Sequence, residues 1–190
     1  MADPRRRLRR AALPAALSAL ALVAVLAGGW RGPAAAQASP VDSGPVAQLF
    51  ALRLPDADGR EQPLSQWRGR VLVVNFWATW CAPCVAEMPA LQKLQAEYGA
   101  RGVTILGLGT ESQAKVQGFR DHHALRLTLL AGGYDALAIA RNLGDTQGVL
   151  PYTAVFSADG VLLHTQLGAL KDGQLRGWLL EAMARTDLRR

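Results

Sequence analysis

The chain has 190 residues and two cysteines, Cys81 and Cys84, both inside the stretch NFWATWCAPCVAEMP that runs from Asn75 to Pro89. Two thiols at this spacing can close a small structural disulfide, supply half of a metal site, or cycle between dithiol and disulfide. A structural disulfide acts mainly by restricting the unfolded chain, and its effect shrinks with the loop it closes. A four-residue loop contributes about 2 kcal/mol in that picture, against about 4.7 kcal/mol for a 100-residue loop. A domain able to bury a full core has little need of so small a staple. A tetrahedral zinc site needs two further ligands, and the candidates are His122, His123 and His164. His122 and His123 are adjacent, without the usual separation between paired histidine ligands, and read as solvated helix residues. Copper(I) accepts two soft thiolates, and with Met88 close by it stays open as an alternative.

The redox reading explains more of the neighbourhood. The cysteines follow the apolar run VLVVNFW, Val71 to Trp77, and open a segment of helical pattern. Cys81 therefore falls at a helix N-terminus, where unpaired backbone N–H groups and the helix dipole favour a thiolate. Pro83 is tolerated in a first turn that needs no donor there. Cys84 lies about one turn further in and should be the less exposed thiol. Cys81 is then the attacking nucleophile and Cys84 the resolving thiol, the division that exchange through a mixed disulfide requires.

The elements that must position this pair follow from periodicity. Val71–Trp77 suits a strand buried on both faces, and Val103 to Leu108 is a second apolar strand. Between them, Ala90, Leu91, Leu94 and Tyr98 recur at helical steps and Gly99 marks a stop. Ser112 can cap a helix carrying Val116 and Phe119, Arg126 to Leu130 is a short strand, and Tyr134 to Leu143 a short helix. Tyr152 to Phe156 and Val161 to Leu167 flank the turn Ala158-Asp159-Gly160, and a closing helix begins near Asp172. Strands alternating with helices, then a hairpin, give an α/β fold with a mixed central sheet and helices on both faces. Ahead of it, Phe50, Leu52 and Leu54 alternate before an Asp58-Gly59 turn, which predicts a short strand or hairpin extension.

The N-terminal segment reads as an address. Residues 1–38 hold six arginines against one aspartate, so +5 of the +6 formal charge lies there and the other 152 residues carry only +1. No basic stripe with interleaved aromatics remains, which argues against nucleic acid. Arg5, Arg6, Arg7, Arg9 and Arg10 precede an uncharged run from Ala11 to Trp30 and the small residues Ala36-Gln37-Ala38. That is the pattern of a signal peptide or an N-terminal membrane anchor that could tether through residues 11–30, and it places the domain outside the cytoplasm, in the periplasm or on the outer face of the cytoplasmic membrane. Residues 39–48 read as a linker and 49–190 as the folded domain.

With these elements in place, Trp77-Ala78-Thr79-Trp80-Cys81-Ala82-Pro83-Cys84 with Pro89 resembles a thioredoxin-fold active site. The extended pattern WCxPCxxExP resembles the exported TlpA/ResA group of thiol–disulfide oxidoreductases over roughly residues 50–185. The resemblance implies a thioredoxin-like fold and a protein-disulfide reductase with no cofactor beyond the Cys81–Cys84 disulfide. Its substrates would be disulfide-containing or thiol proteins, and a membrane-embedded donor would supply its electrons. A role in cytochrome c or oxidase biogenesis also follows from the family. It implies, too, that Pro151 in GVLPYTAVF is a cis-proline facing the dithiol, with Leu150 presenting its backbone to substrate; Trp80, directly before Cys81, is expected to cover the pair and to offer partners an apolar contact. Tyr152 departs from the family's usual threonine. Thioredoxins carry a buried aspartate where this chain has Asn75, which cannot titrate; Glu87, three residues after Cys84 on the same helix face, is the implied proton acceptor. A disulfide oxidase or isomerase, and a copper(I)-binding assembly factor using the same cysteines, are the rival readings.

Overall fold

The computed structural model describes residues 44–188; the expected leader, 1–38, and the first part of the expected linker lie outside them. Pro45 opens the first helix, α1 (Pro45–Ala51), which buries Leu49 and Phe50. Residues 45–48, expected as linker, are therefore helical, and Phe50 lies in a helix rather than a strand, with Leu52 as the extended residue that caps it. Two apolar side chains that can be sunk into the core outweigh the period-2 signal of so short a run. The expected hairpin follows, later than its predicted start, as β1 (Arg53–Pro55) paired antiparallel with β2 (Glu61–Pro63) around Asp58-Gly59.

The main sheet has five strands: β3 (Val71–Trp77), β4 (Val103–Gly109), β5 (Thr128–Ala131), β6 (Tyr152–Phe156) and β7 (Leu162–Leu167), in the order β5-β4-β3-β6-β7. The pairs β3–β4 and β4–β5 are parallel, and β6 and β7 run antiparallel to complete a mixed sheet. Helices α2 (Ala82–Tyr98), α3 (Gln113–His122) and α4 (Gly133–Asn142) connect β3 through β6, a hairpin turn joins β6 to β7, and α5 (Gln174–Asp187) follows.

Every residue of β3 is buried because the strand lies at the centre of a sheet covered on both sides. Val71, Val73 and Trp77 pack in one core with Met88 and Leu91 of α2, Val116 of α3, and Leu175 and Leu179 of α5. Leu72, Val74 and Phe76 pack in the other with Leu49 and Phe50 of α1 and Ala136 and Ile139 of α4. Strand alternation puts Asn75 on the α2 side, the one polar residue of β3. Two glycines of β4 let this layer close: a Cβ on Gly107 would stand 2.6 Å from Leu129 Cδ2 and 3.1 Å from Trp77 Nε1, and one on Gly109 would stand 2.8 Å from Val116 Cγ2.

Candidate active site

The C-terminal end of β3 delivers the chain to the sulfur pair. Cys81 is the N-cap residue of α2, in extended backbone conformation, and its Sγ accepts the backbone N–H of Cys84 at 3.3 Å. Cys81 and Cys84 are joined as a disulfide. Pro83 occupies the first turn as expected, and Pro89 lies inside the helix, where it withdraws one backbone donor. Cys84 is fully buried, while Cys81 is 5% exposed, so in this oxidised form the expected open nucleophile is covered. Trp80, next to Cys81 in sequence, is 70% exposed. The loop bearing it is tethered from outside the motif, since Glu111 Oε2 accepts the Thr79 N–H at 2.6 Å and Glu111 Oε1 pairs with Lys115 at 2.9 Å. Burial pushes the Glu111 carboxyl upward, but the Thr79 donation and Lys115 outweigh it and hold it below the usual glutamate range.

Pro151 stands at the same edge of the sheet, because β6 runs antiparallel to β3 and Tyr152 lies opposite Phe76. The Leu150–Pro151 bond is cis. Leu150 is half-buried and touches both cores, and the Pro151 carbonyl accepts the Gly168 N–H at 2.9 Å. Tyr152 turns to the opposite face, where its hydroxyl donates to the Leu143 carbonyl at 2.7 Å and ties down the end of α4. Its size is thereby used away from the sulfur pair.

Glu87 sits one turn beyond Cys84 and is partly buried. Oε1 accepts Asn75 Nδ2 at 2.6 Å and Oε2 accepts the Leu170 N–H at 3.3 Å. Burial pushes the carboxyl above its ordinary value of 4.5, against the opposing pull of the Asn75 and Leu170 donors. Glu87 also lines a cleft of about 420 Å³ between α2 and the β7–α5 segment, with Pro83, Leu94, Leu170 and Arg176 among its walls. Met88, the thioether next to the pair in sequence, is 1% exposed and packed in the core. His122 is the last residue of α3 and His123 its C-cap, their rings 4.8 Å apart, whereas His164 lies on β7 with Nε2 2.9 Å from Glu181 Oε2.

A model of the Redoxin family matches residues 36–177. The chain belongs to that family. Among redoxins, the thiol-disulfide oxidoreductase ResA of Geobacillus kaustophilus is 32% identical over 118 residues, 62% of this chain and 66% of that protein. The ResA of Oceanobacillus iheyensis is 32% identical over 139 residues, 73% of this chain and 70% of that protein. The chain thus spans about two thirds of the length of the curated relatives it matches. A thiol:disulfide interchange protein from Chlorobium tepidum superimposes with a TM-score of 0.62 at 21% identity, covering 70% of this chain and 92% of that one, which establishes the thioredoxin-like fold. This redoxin is ResA-like, and its chemistry is thiol–disulfide exchange.

Several contacts of the site lie outside what the motif could predict. Thr153 accepts from Asn75 Nδ2 at 3.0 Å; a cross-strand neighbour of Asn75 was a readable signal once β3 and β6 were paired. Glu111 and the Leu170 N–H carry no local signal, because their approach to Thr79 and Glu87 depends on how distant loops fold back.

Proposed function

We propose that this protein is an exported protein-disulfide reductase in which Cys81 attacks, Cys84 resolves and Glu87 receives the proton. The observation that supports it best is a single arrangement: a cysteine pair at a helix N-terminus, the outer sulfur accepting a backbone N–H, and a half-buried carboxyl one turn behind the inner one. In the reduced protein the Cys81 thiolate attacks one sulfur of the target disulfide, the target S–S bond breaks, and the departing target thiolate takes the electron pair. Cys84 gives its proton to Glu87 and attacks Cys81 Sγ, releasing the second target thiolate and leaving the Cys81–Cys84 disulfide. Two electrons have passed from protein to target. The cleft beside Glu87 gives that proton a route to solvent.

Trp80 offers an exposed apolar contact beside the reacting sulfur, and Leu150 with Pro151 presents backbone at the same edge for an extended substrate segment. The leader pattern of residues 1–38 supports placement outside the cytoplasmic membrane, and the family resemblance supports electron supply from a membrane-embedded donor and apocytochrome c thiols as a target class. Among the described residues no helix is long and apolar enough to cross a membrane. A Cys84→Ser variant expressed in cells tests the reading. It should accumulate mixed disulfides on Cys81 with exported cysteine-containing proteins, and the reduction potential of the native pair should lie well below about −200 mV. A potential near about −120 mV makes the protein an oxidant instead. Tight stoichiometric copper retention that is lost on replacing both cysteines by serine makes it a copper carrier.

A further inference from the structure

Asn75 is fully buried at the centre of the sheet, in a strand whose other six residues are apolar. Its Nδ2 donates to Glu87 Oε1 at 2.6 Å and to Thr153 Oγ1 at 3.0 Å, which uses both amide hydrogens. Its Oδ1 is also buried and has no hydrogen-bond partner among the described residues. A leucine here would leave no orphaned acceptor, so the amide is retained against the ordinary preference of a central strand. Thr153 is not a chance neighbour: it is the register partner of Asn75 across the β3–β6 pair, so the sheet itself fixes where the hydroxyl stands.

We propose that Asn75 is a positioning residue for the resolving step: braced by Thr153, its amide donates to the Glu87 carboxylate and holds it in the orientation and ionised form that accept the Cys84 proton. The inference rests on the reading of Glu87 as proton acceptor. An N–H donor stabilises the carboxylate and has nothing to offer a protonated oxygen at the same place. An aspartate at position 75 would place an oxygen where Nδ2 now lies, 2.6 Å from Glu87 Oε1, and two carboxylates that close share one proton, so the pair would ionise only at higher pH. The chain therefore has a neutral amide under the dithiol and one titrating group instead of two. The charged groups that line the cleft with Glu87 are Lys93 on its own helix α2, Lys171 and Asp172 of the β7–α5 segment, and Arg176 of α5. All four remain in the variants below, so they shift every profile alike.

Reduced full-length protein mixed with the aromatic disulfide dithiobis(nitrobenzoate) separates the two steps. Attack by Cys81 releases the first coloured thiolate, and attack by Cys84 on Cys81 releases the second. Asn75→Leu should leave the first phase within about twofold and move the pH midpoint of the second phase upward by about one unit, which slows it by up to about tenfold on the acid side of the native midpoint and restores it well above the new one. Thr153→Val, which keeps the shape and removes the hydroxyl, should move the midpoint the same way by less. Asn75→Asp keeps the volume should the leucine variant fail to fold, and its midpoint should also rise. A general loosening of the site would slow both phases at every pH, and that result overturns the proposal. Glu87→Gln separates the two readings. If it abolishes the pH dependence of the second phase while the Asn75 and Thr153 variants titrate like the native protein, the Asn75 proposal fails and the Glu87 reading stands. If Glu87→Gln leaves the second phase unchanged, both fail.

Discussion

Breaking the Cys81–Cys84 bond with a chemical reductant removes a cross-link between residues separated by three positions. Freed from that link, the unfolded chain regains entropy equivalent to about 2 kcal/mol, which is the most the fold can lose on this account. The folded side recovers part of it. As a thiolate, Cys81 keeps the Cys84 N–H already seen at 3.3 Å, and a hydrogen bond to a charged group contributes about 1.5–3 kcal/mol. It also faces the start of a 17-residue helix, where the dipole adds about 0.3–1 kcal/mol. Because Cys81 is only 5% exposed, desolvation of the charge takes back some of this gain. The net cost of reduction should therefore lie between nil and about 2 kcal/mol, or a fall in Tm of no more than about 8 °C at the 2–4 °C per kcal/mol usual for domains of this size. A thiolate favoured by the fold contributes stability at high pH that is lost as pH falls, so the difference in Tm between oxidised and reduced protein should be largest in acid and smallest in mild alkali. Scanning calorimetry with and without reductant, at several pH values, reads both. A fall of 15 °C or more, or a gap that widens as pH rises, would refute the reasoning and make the pair a structural staple.

Further outcomes follow from named contacts. Since burial raises the Glu87 pKa above 4.5, ionising it costs the fold stability; that cost is absent below the ordinary glutamate value, grows as pH rises toward the raised value and is constant above it. Glu87→Gln should accordingly match the native protein in acid and exceed it in stability at neutral pH in urea titrations, and equal stability at both pH values would count against a burial-raised carboxyl. Gly107→Ala drives a methyl against Leu129 and Trp77 and should destabilise by about 1–3 kcal/mol, measured by urea unfolding. Trp80→Ala, at an exposed position, should change stability by less than about 0.5 kcal/mol while slowing reduction of a protein disulfide more than of a small aromatic one. Equal slowing of both would assign Trp80 to the chemistry of the sulfurs rather than to partner contact.

Sequence pattern and structure part company in instructive places. Long apolar runs carried their assignments well: VLVVNFW became a strand buried on both faces, and the α-helix after the cysteines ended at Tyr98, although Gly99 stays right-handed and a 3-10 turn runs on to the left-handed Gly102. Short segments did not. Phe50 and Leu52 alternate as in a strand, yet a proline start and two buried side chains put Phe50 in a helix that stops just before Leu52. The cysteine motif located the sulfurs and Glu87, because helix periodicity alone relates Cys84 to a residue three positions on. It could not supply Thr153, Glu111 or the Leu170 N–H, since these arrive from strands and loops between 32 and 83 residues away in sequence from the groups they contact. Trp80 shows the remaining difficulty: how exposed an aromatic next to a reactive sulfur becomes depends on its loop, which Glu111 tethers at Thr79 and which the Cys81 N–H closes onto the Ala78 carbonyl.

Timed alkylation of the reduced protein with iodoacetamide, followed by peptide mass analysis across a pH series, puts the ordering of the two sulfurs to the most direct test. Cys81 should be labelled first, with a midpoint below that of a free cysteine, and Cys84 should lag well behind. Labelling of Cys84 ahead of Cys81, or a Cys81 that ionises no more readily than free cysteine, would contradict the account.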